Sequence, residues 1–195
     1  MSPELRAALE LLAMLLADPR SGMLIGLLIA AAWFDVSSGR IPNVLVYGGS
    51  LAALAYAGLV PPFHMSVPDA LLSSLAGLGC GLVLLLPFYL LRAMGAGDVK
   101  LMAMAGAFLG YPEALGAVLG TFVAGGALSL AYLGLHGGLG QTLANLRSLG
   151  AATAAGCAPT LDRHASAGSL PYGVAIAVGT IGFIALLQLG VIRWQ

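Results

Sequence analysis

Charge is what this sequence has least of. Only 8% of its 195 residues are Asp, Glu, Lys or Arg, where an ordinary soluble domain carries about 25%. The eight basic and eight acidic residues cancel. That leaves no positive excess to hold a phosphate backbone and argues against a nucleic-acid partner. Cysteine is scarce too. Cys80 sits in an apolar run and Cys157 in a small-residue stretch, with no C-x-x-C and no His at ligand spacing. Neither a disulfide framework nor a structural metal site is expected. His64, His136 and His164 fall in three separate loops and read as solvated loop residues.

What is abundant is apolar surface and glycine. Hydrophobic residues make up 59% of the chain, its mean hydropathy is +0.97, and 28 residues are Gly. Such a composition excludes a soluble or disordered chain and predicts an all-α integral membrane protein whose main partner is the lipid bilayer. Glycine at this level suits close approach of helices in lipid. Small-xxx-small pairs occur at Gly22/Gly26, Gly77/Gly81, Gly106/Gly110 and Gly116/Gly120.

Apolar segments run over residues 22–34, 44–60, 70–91, 101–110, 114–135 and 172–192. A span needs about 20 residues, so about six membrane helices are expected. Ser37-Ser38-Gly39, Pro42-Asn43, Pro61-Pro62, Pro68, Gly95-Ala96-Gly97 and Tyr111-Pro112 punctuate them. The fourth is short even if its helix starts at Asp98, so it must sit among other helices or line a water-filled recess. Before the spans, residues 1–20 have apolar positions at helical spacing (Leu5, Ala8, Leu9, Leu12, Leu15, Leu16) and read as an interfacial amphipathic helix, not a signal peptide. Residues 21–195 read as one membrane domain with a loop over about 136–170, in which residues 141–149 suit a surface helix.

With six spans, the loops after the first, third and fifth share one face and hold Arg40, Arg92, Lys100, Arg147 and Arg163, against Arg6, Arg20 and Arg193 on the other. The richer face is expected to be cytoplasmic, with both termini outside. Most charges have simple structural readings. Glu113 follows Pro112 and Asp69 follows Pro68, so each suits the first turn of a helix.

Asp35 and Asp98 do not fit that account. Asp35 directly follows Ala31-Ala32-Trp33-Phe34, at the end of an apolar helix, where the dipole disfavours a carboxylate. Asp98 follows Gly95-Ala96-Gly97 just before the short segment. One leaves the membrane and the other enters it on the same face at similar depth. Two carboxylates brought together there would share a proton through like-charge repulsion and partial desolvation. The ionised member would take a proton from water while its partner donates to a scissile carbonyl. The alternative is that each is an interfacial cap. Lys100 is open in the same way: it could hold an acidic partner, tune the aspartate charge, or serve as a positive-inside anchor.

The stretch from Asp35 to Asn43 reads D-x5-I-P-N, and Gly95 to Lys100 reads G-x-G-D-x-K. Together, in this order in a six-span chain, they resemble the prepilin peptidase family of GxGD intramembrane aspartyl proteases, over roughly residues 23–192. The resemblance implies that Asp35 and Asp98 match the catalytic aspartates, with no cofactor. It implies that Gly95, Gly97 and Lys100 match the second motif. The two glycines would let the backbone turn tightly and let substrate or a helix approach Asp98. Ile41-Pro42-Asn43 would end the first loop, with Pro42 near the start of span two and Asn43 able to cap it. Pro171-Tyr172-Gly173 resembles the family's Pro-aromatic-Gly opening of the last span, as a cleft lining or simply a helix start.

No C-x-x-C pair occurs in these residues, so the paired-cysteine domain of long bacterial members, which also N-methylate the pilin, is not expected. The chain resembles the short form of Flp/tight-adherence pilus systems, and methyltransferase activity is not expected. The implied function is leader removal from prepilin or pseudopilin substrates at the cytoplasmic face of the bacterial inner membrane. Such leaders are short and positively charged, with Gly just before the cut. A small proton-coupled transporter would also place carboxylates in a membrane. Its sites favour the midplane and paired repeats, which are not seen here. An inactive assembly scaffold would be expected to have lost one of these motifs.

Overall fold

A computed structural model describes residues 18–62, 65–91, 94–135 and 172–192. Of the amphipathic segment expected over 1–20, residues 1–17 lie outside the described residues, while Asp18, Pro19 and Arg20 instead cap and open the first membrane helix. The loop over 136–170, with the surface helix expected at 141–149, also lies outside them. Among the described residues there are six helices and no strand: α1 (Pro19–Ser38), α2 (Asn43–Leu59), α3 (Val67–Leu90), α4 (Ala96–Leu109), α5 (Glu113–Leu135) and α6 (Tyr172–Gln188). Three of them, α1, α3 and α5, are long and apolar enough to cross a membrane, while α2 and α6 are shorter apolar helices. The protein is an all-α membrane protein. Two compact units divide it, Met1–Gly125 with Pro171–Gln195 and Gly126–Leu170; the described part of the second, 126–135, is helical.

Caps set the ends of the helices more than hydropathy does. α1 starts three residues before its apolar run because Asp18 caps it, accepting from the Ser21 N–H at 3.1 Å and the Ser21 hydroxyl at 2.8 Å, with Pro19 next in line. At its other end α1 runs on to Ser38. There Gly39 takes the left-handed conformation (φ 62°) and returns its N–H to the Asp35 carbonyl at 2.9 Å. Ser66 caps α3, with Pro68 and Asp69 in the first turn as expected, and Glu113 opens α5.

The short helix α4 is the centre of the first unit. Its 14 residues rise only about 21 Å, and every residue from Leu101 to Phe108 is buried. A helix apolar on all sides needs partners all round. α4 has them, packing most extensively on α3 and also on α2, α1 and α6. The sequence expectation of a short segment enclosed by other helices is met in this way.

Glycine makes the α3–α4 contact possible. The Gly77 and Gly106 backbones meet without side chains between them, and Gly81 lies against the Met102 carbonyl. The Ser74 hydroxyl donates to the Ala107 carbonyl, and the Ser73 hydroxyl donates to the Tyr111 carbonyl at 3.3 Å. Interhelical hydrogen bonds in membranes average only about 0.6 kcal/mol, so close backbone packing supplies most of the association here. The outer surface is apolar: Val44 is 85% exposed and Trp33 72%. In a helical bundle of this composition, that surface faces lipid.

Candidate functional site

The two sequence motifs meet at one end of the bundle, where α1 finishes and α2, α4 and α6 begin. Asp35 does not end its helix, as the hydropathy pattern suggested, but stands in the last turn of α1, half-buried. The negative end of the α1 dipole disfavours its charge. The compensation comes from α6, where the Gly173 N–H donates to Asp35 Oδ2 at 2.7 Å. Gly173 is the second residue of α6, a position whose N–H finds no partner within its own helix. A neutral amide facing a carboxylate at this distance is a charge-assisted bond.

Asp98 stands in the first turn of α4, 8% exposed, and accepts the Gly95 N–H on its Oδ2 at 3.0 Å. Here the positive end of a dipole favours the carboxylate. Gly95 itself is extended (φ −76°, ψ 154°) and Gly97 is already helical. The tight glycine turn expected from the sequence is therefore not made, because an extended cap residue leads straight into the helix. Gly97 serves close approach instead: a Cβ there would lie 3.4 Å from the Ile41 Cβ.

Burial is the largest influence on Asp98, and the charge of Asp35 reaches it as a smaller one, which puts the two acids within electrostatic range. Each therefore has one oxygen on the free amide of a helix start. Among the described residues, neither Oδ1 has a hydrogen bond.

Lys100 pairs with neither acid. Its ammonium donates to the Asn43 side-chain oxygen at 3.1 Å and lies 5.3 Å from the centroid of the Tyr47 ring. The expected capping by Asn43 is absent. Pro42 occupies the cap of α2 and Asn43 is the first helical residue, so its amide is turned to α4 instead. Ile41 packs on Gly97, so the I-P-N and G-x-G-D-x-K segments touch at two points.

Of the last motif, Tyr172 opens α6 half-buried, Gly173 is buried against Asp35, and Pro171 lies outside the described residues. Two features escaped the sequence reading. Tyr47 shares a helix face with Asn43, four residues on, a spacing that could have been noticed. Gly173 has no room for a side chain, since a Cβ would fall 2.8 Å from Asp35 Oδ2. The Pro-aromatic-Gly pattern marks this glycine in the sequence, but not its contact with Asp35.

No curated protein and no solved structure matches the chain significantly. Residues 22–130 match the type IV leader peptidase family. That stretch covers more than half of the chain and holds both aspartates, the I-P-N segment and the whole second motif. This protein belongs to the type IV leader peptidase family.

Proposed function

We propose that this chain is an aspartic endopeptidase that removes the leader from Flp-type prepilins, with Asp35 and Asp98 as its catalytic pair. The observation that carries the reading is that both acids come to one end of the bundle, a buried acid at the start of α4 and a half-buried acid at the end of α1, each held by one amide and within electrostatic range of the other.

A pair of this kind works with a single shared proton, which belongs to the pair more than to either residue. The ionised acid takes a proton from water as the water oxygen adds to the scissile carbonyl. The protonated acid gives its proton to the carbonyl oxygen, forming a neutral gem-diol. Collapse passes a proton to the departing nitrogen and breaks the C–N bond. The leader leaves with a new carboxyl group, the pilin with a free amine, and the pair again holds one proton. Water is the only co-reactant.

The reading places the site at the cytoplasmic face of an inner membrane with both termini outside. The uneven distribution of basic residues between the loops supports this orientation. In this reading residues 21–195 are the peptidase domain, and Ile41, Pro42, Asn43, Gly95, Gly97, Lys100, Tyr172 and Gly173 belong to the site, with Pro171 included on its motif alone. The test is co-expression with a Flp-type prepilin, comparing Asp35→Asn and Asp98→Asn with the parent at equal membrane abundance. Each substitution is expected to lower cleavage by about 10²–10⁴-fold. Native-rate processing by either variant would falsify the two-aspartate mechanism.

A further inference from the structure

Lys100 is the one charged residue of the second motif whose contacts do not involve the aspartates. Residues two apart on a helix point about 200° away from each other, so a lysine at this position projects away from Asp98. Both of its partners, the Asn43 amide oxygen at 3.1 Å and the Tyr47 ring at 5.3 Å, are neutral and lie on the first turns of α2. The contact neutralises no acid. What it does is fix the start of α2 against the second turn of α4.

That register matters because the link from α2 back to Asp35 is short. Only residues 39–42 separate Ser38, the last residue of α1, from Asn43, the first of α2. The link is stiff as well. Gly39 bonds back to the Asp35 carbonyl at 2.9 Å, the Ser38 hydroxyl reaches the Phe34 carbonyl at 2.7 Å, and Pro42 fixes its own φ at −62°. Ile41, within the link, rests on Gly97, one residue before Asp98. A shift of the α2 start relative to α4 would therefore pass into the turn that carries Asp35. An apolar side chain at position 100 could pack there. A directed hydrogen bond to one oxygen instead specifies a single seating.

We propose that Lys100 is a positioning residue: clamped between Asn43 and Tyr47, it seats the residue 39–42 link on α4 and so sets where Asp35 stands relative to Asp98. This rests on the reading of those two acids as the working pair. Misplacing a reacting group by about 1 Å costs on the order of a hundredfold in rate, so the loss should appear in turnover and not in substrate affinity.

The experiment uses the purified full chain in nanodiscs with a Flp-type prepilin as substrate, measuring kcat and KM. Lys100→Met and Asn43→Ala are each expected to lower kcat by about tenfold or more, with KM unchanged within about twofold. The double variant should be no worse than the worse single one. Lys100→Arg should recover most of the lost turnover, and Asn43→Asp, which keeps the acceptor, should retain it. The proposal is overturned if Lys100→Met turns over at the parent rate, if its loss lies in KM, or if the two single losses multiply. It is equally overturned if Asn43→Asp falls as far as Asn43→Ala, since the free charge of Lys100 and not the clamp would then matter. Should Lys100→Met fail to accumulate, the Asn43→Ala and Asn43→Asp pair decides alone. Asp35→Asn and Asp98→Asn, run alongside, separate the two ideas. If they still cleave, the catalytic pair is wrong. If they are dead while Lys100→Met is fully active, only the clamp is wrong.

Discussion

Gly173 and Asp35 meet in two ways at once. The Gly173 amide donates to Asp35 Oδ2 at 2.7 Å, and the absent side chain leaves the space in which that carboxylate stands. The start of one helix thus supplies what the end of another lacks. The positive pole of α6 faces a charge that the negative pole of α1 would repel. Asp98 has the same kind of support from its own helix, through Gly95. The two acids are alike in chemistry but differ in how far the chain must travel to support them. That difference shapes which substitutions should act on cleavage and which on folding.

Gly173→Ala is expected to lower cleavage by at least about tenfold while the protein still accumulates in the membrane. The added Cβ would lie 2.8 Å from Asp35 Oδ2 and 3.0 Å from its Cβ, so either α6 withdraws its amide or the carboxylate turns away. The check is processing of a co-expressed prepilin at matched membrane level. Unchanged processing would mean that the Gly173–Asp35 contact does not set the geometry of the site.

Asp98 should separate catalysis from capping. Asp98→Asn keeps an oxygen for the Gly95 N–H, so thermal stability should change by only a few tenths of a kcal/mol, whereas Asp98→Ala removes that acceptor and should cost about 1 kcal/mol. Both variants should lose cleavage. Thermal unfolding in nanodiscs, paired with a cleavage assay, distinguishes the effects: equal unfolding temperatures for Asn and Ala would show that the bond adds nothing to the fold.

Much of the helix layout was legible in the sequence, and the reasons for the shortfall are local. Hydropathy marks the residues that lie in lipid, while helices stop where their end groups are satisfied. The apolar run at 22–34 therefore understated α1, whose real limits are Asp18 with Pro19 at one end and Gly39 at the other. Gly39 reads as turn chemistry in the sequence, and Asp18 and Pro19 fall at the end of the stretch assigned to the interfacial helix. The pairing of Asp35 with Gly173 across 138 residues was not legible, since no local pattern links a carboxylate to a backbone amide so far along the chain. The Asn43–Lys100 bond, 57 residues apart, was hidden for a related reason: Asn beside Pro at a helix start reads as a cap, and only tertiary packing shows its side chain turned elsewhere. The two aspartates stood out because so few charges competed with them.

Asp18→Ala tests the end of α1 remote from the site. Asp18 satisfies the Ser21 N–H and hydroxyl, so its loss should lower stability by about 1 kcal/mol. Cleavage under non-denaturing conditions should stay within about twofold, since Asp35 stands at the other end of the helix. Thermal unfolding and prepilin processing report the two halves separately. A large loss of activity without a change in stability would tie this end of α1 to the working geometry after all.

Two glycines in similar apolar surroundings should respond in opposite directions. Gly106 faces the backbone of Gly77, and an added Cβ would meet the Gly77 carbonyl group, its carbon at 2.8 Å. Backbone cannot rotate aside as a side chain can, so α3 and α4 must separate. Gly106→Ala should then cost about 1–3 kcal/mol, the usual penalty of overpacking. Gly26, on the outer face of α1, has nothing within 4 Å of such a Cβ. Gly26→Ala should be neutral or stabilising by up to about 1 kcal/mol, through better helix propensity. Unfolding temperatures of the two variants in the same bilayer decide the matter. If Gly26→Ala were the more damaging, the open face of α1 would have to be covered by another protein surface, and the bundle would not meet lipid there.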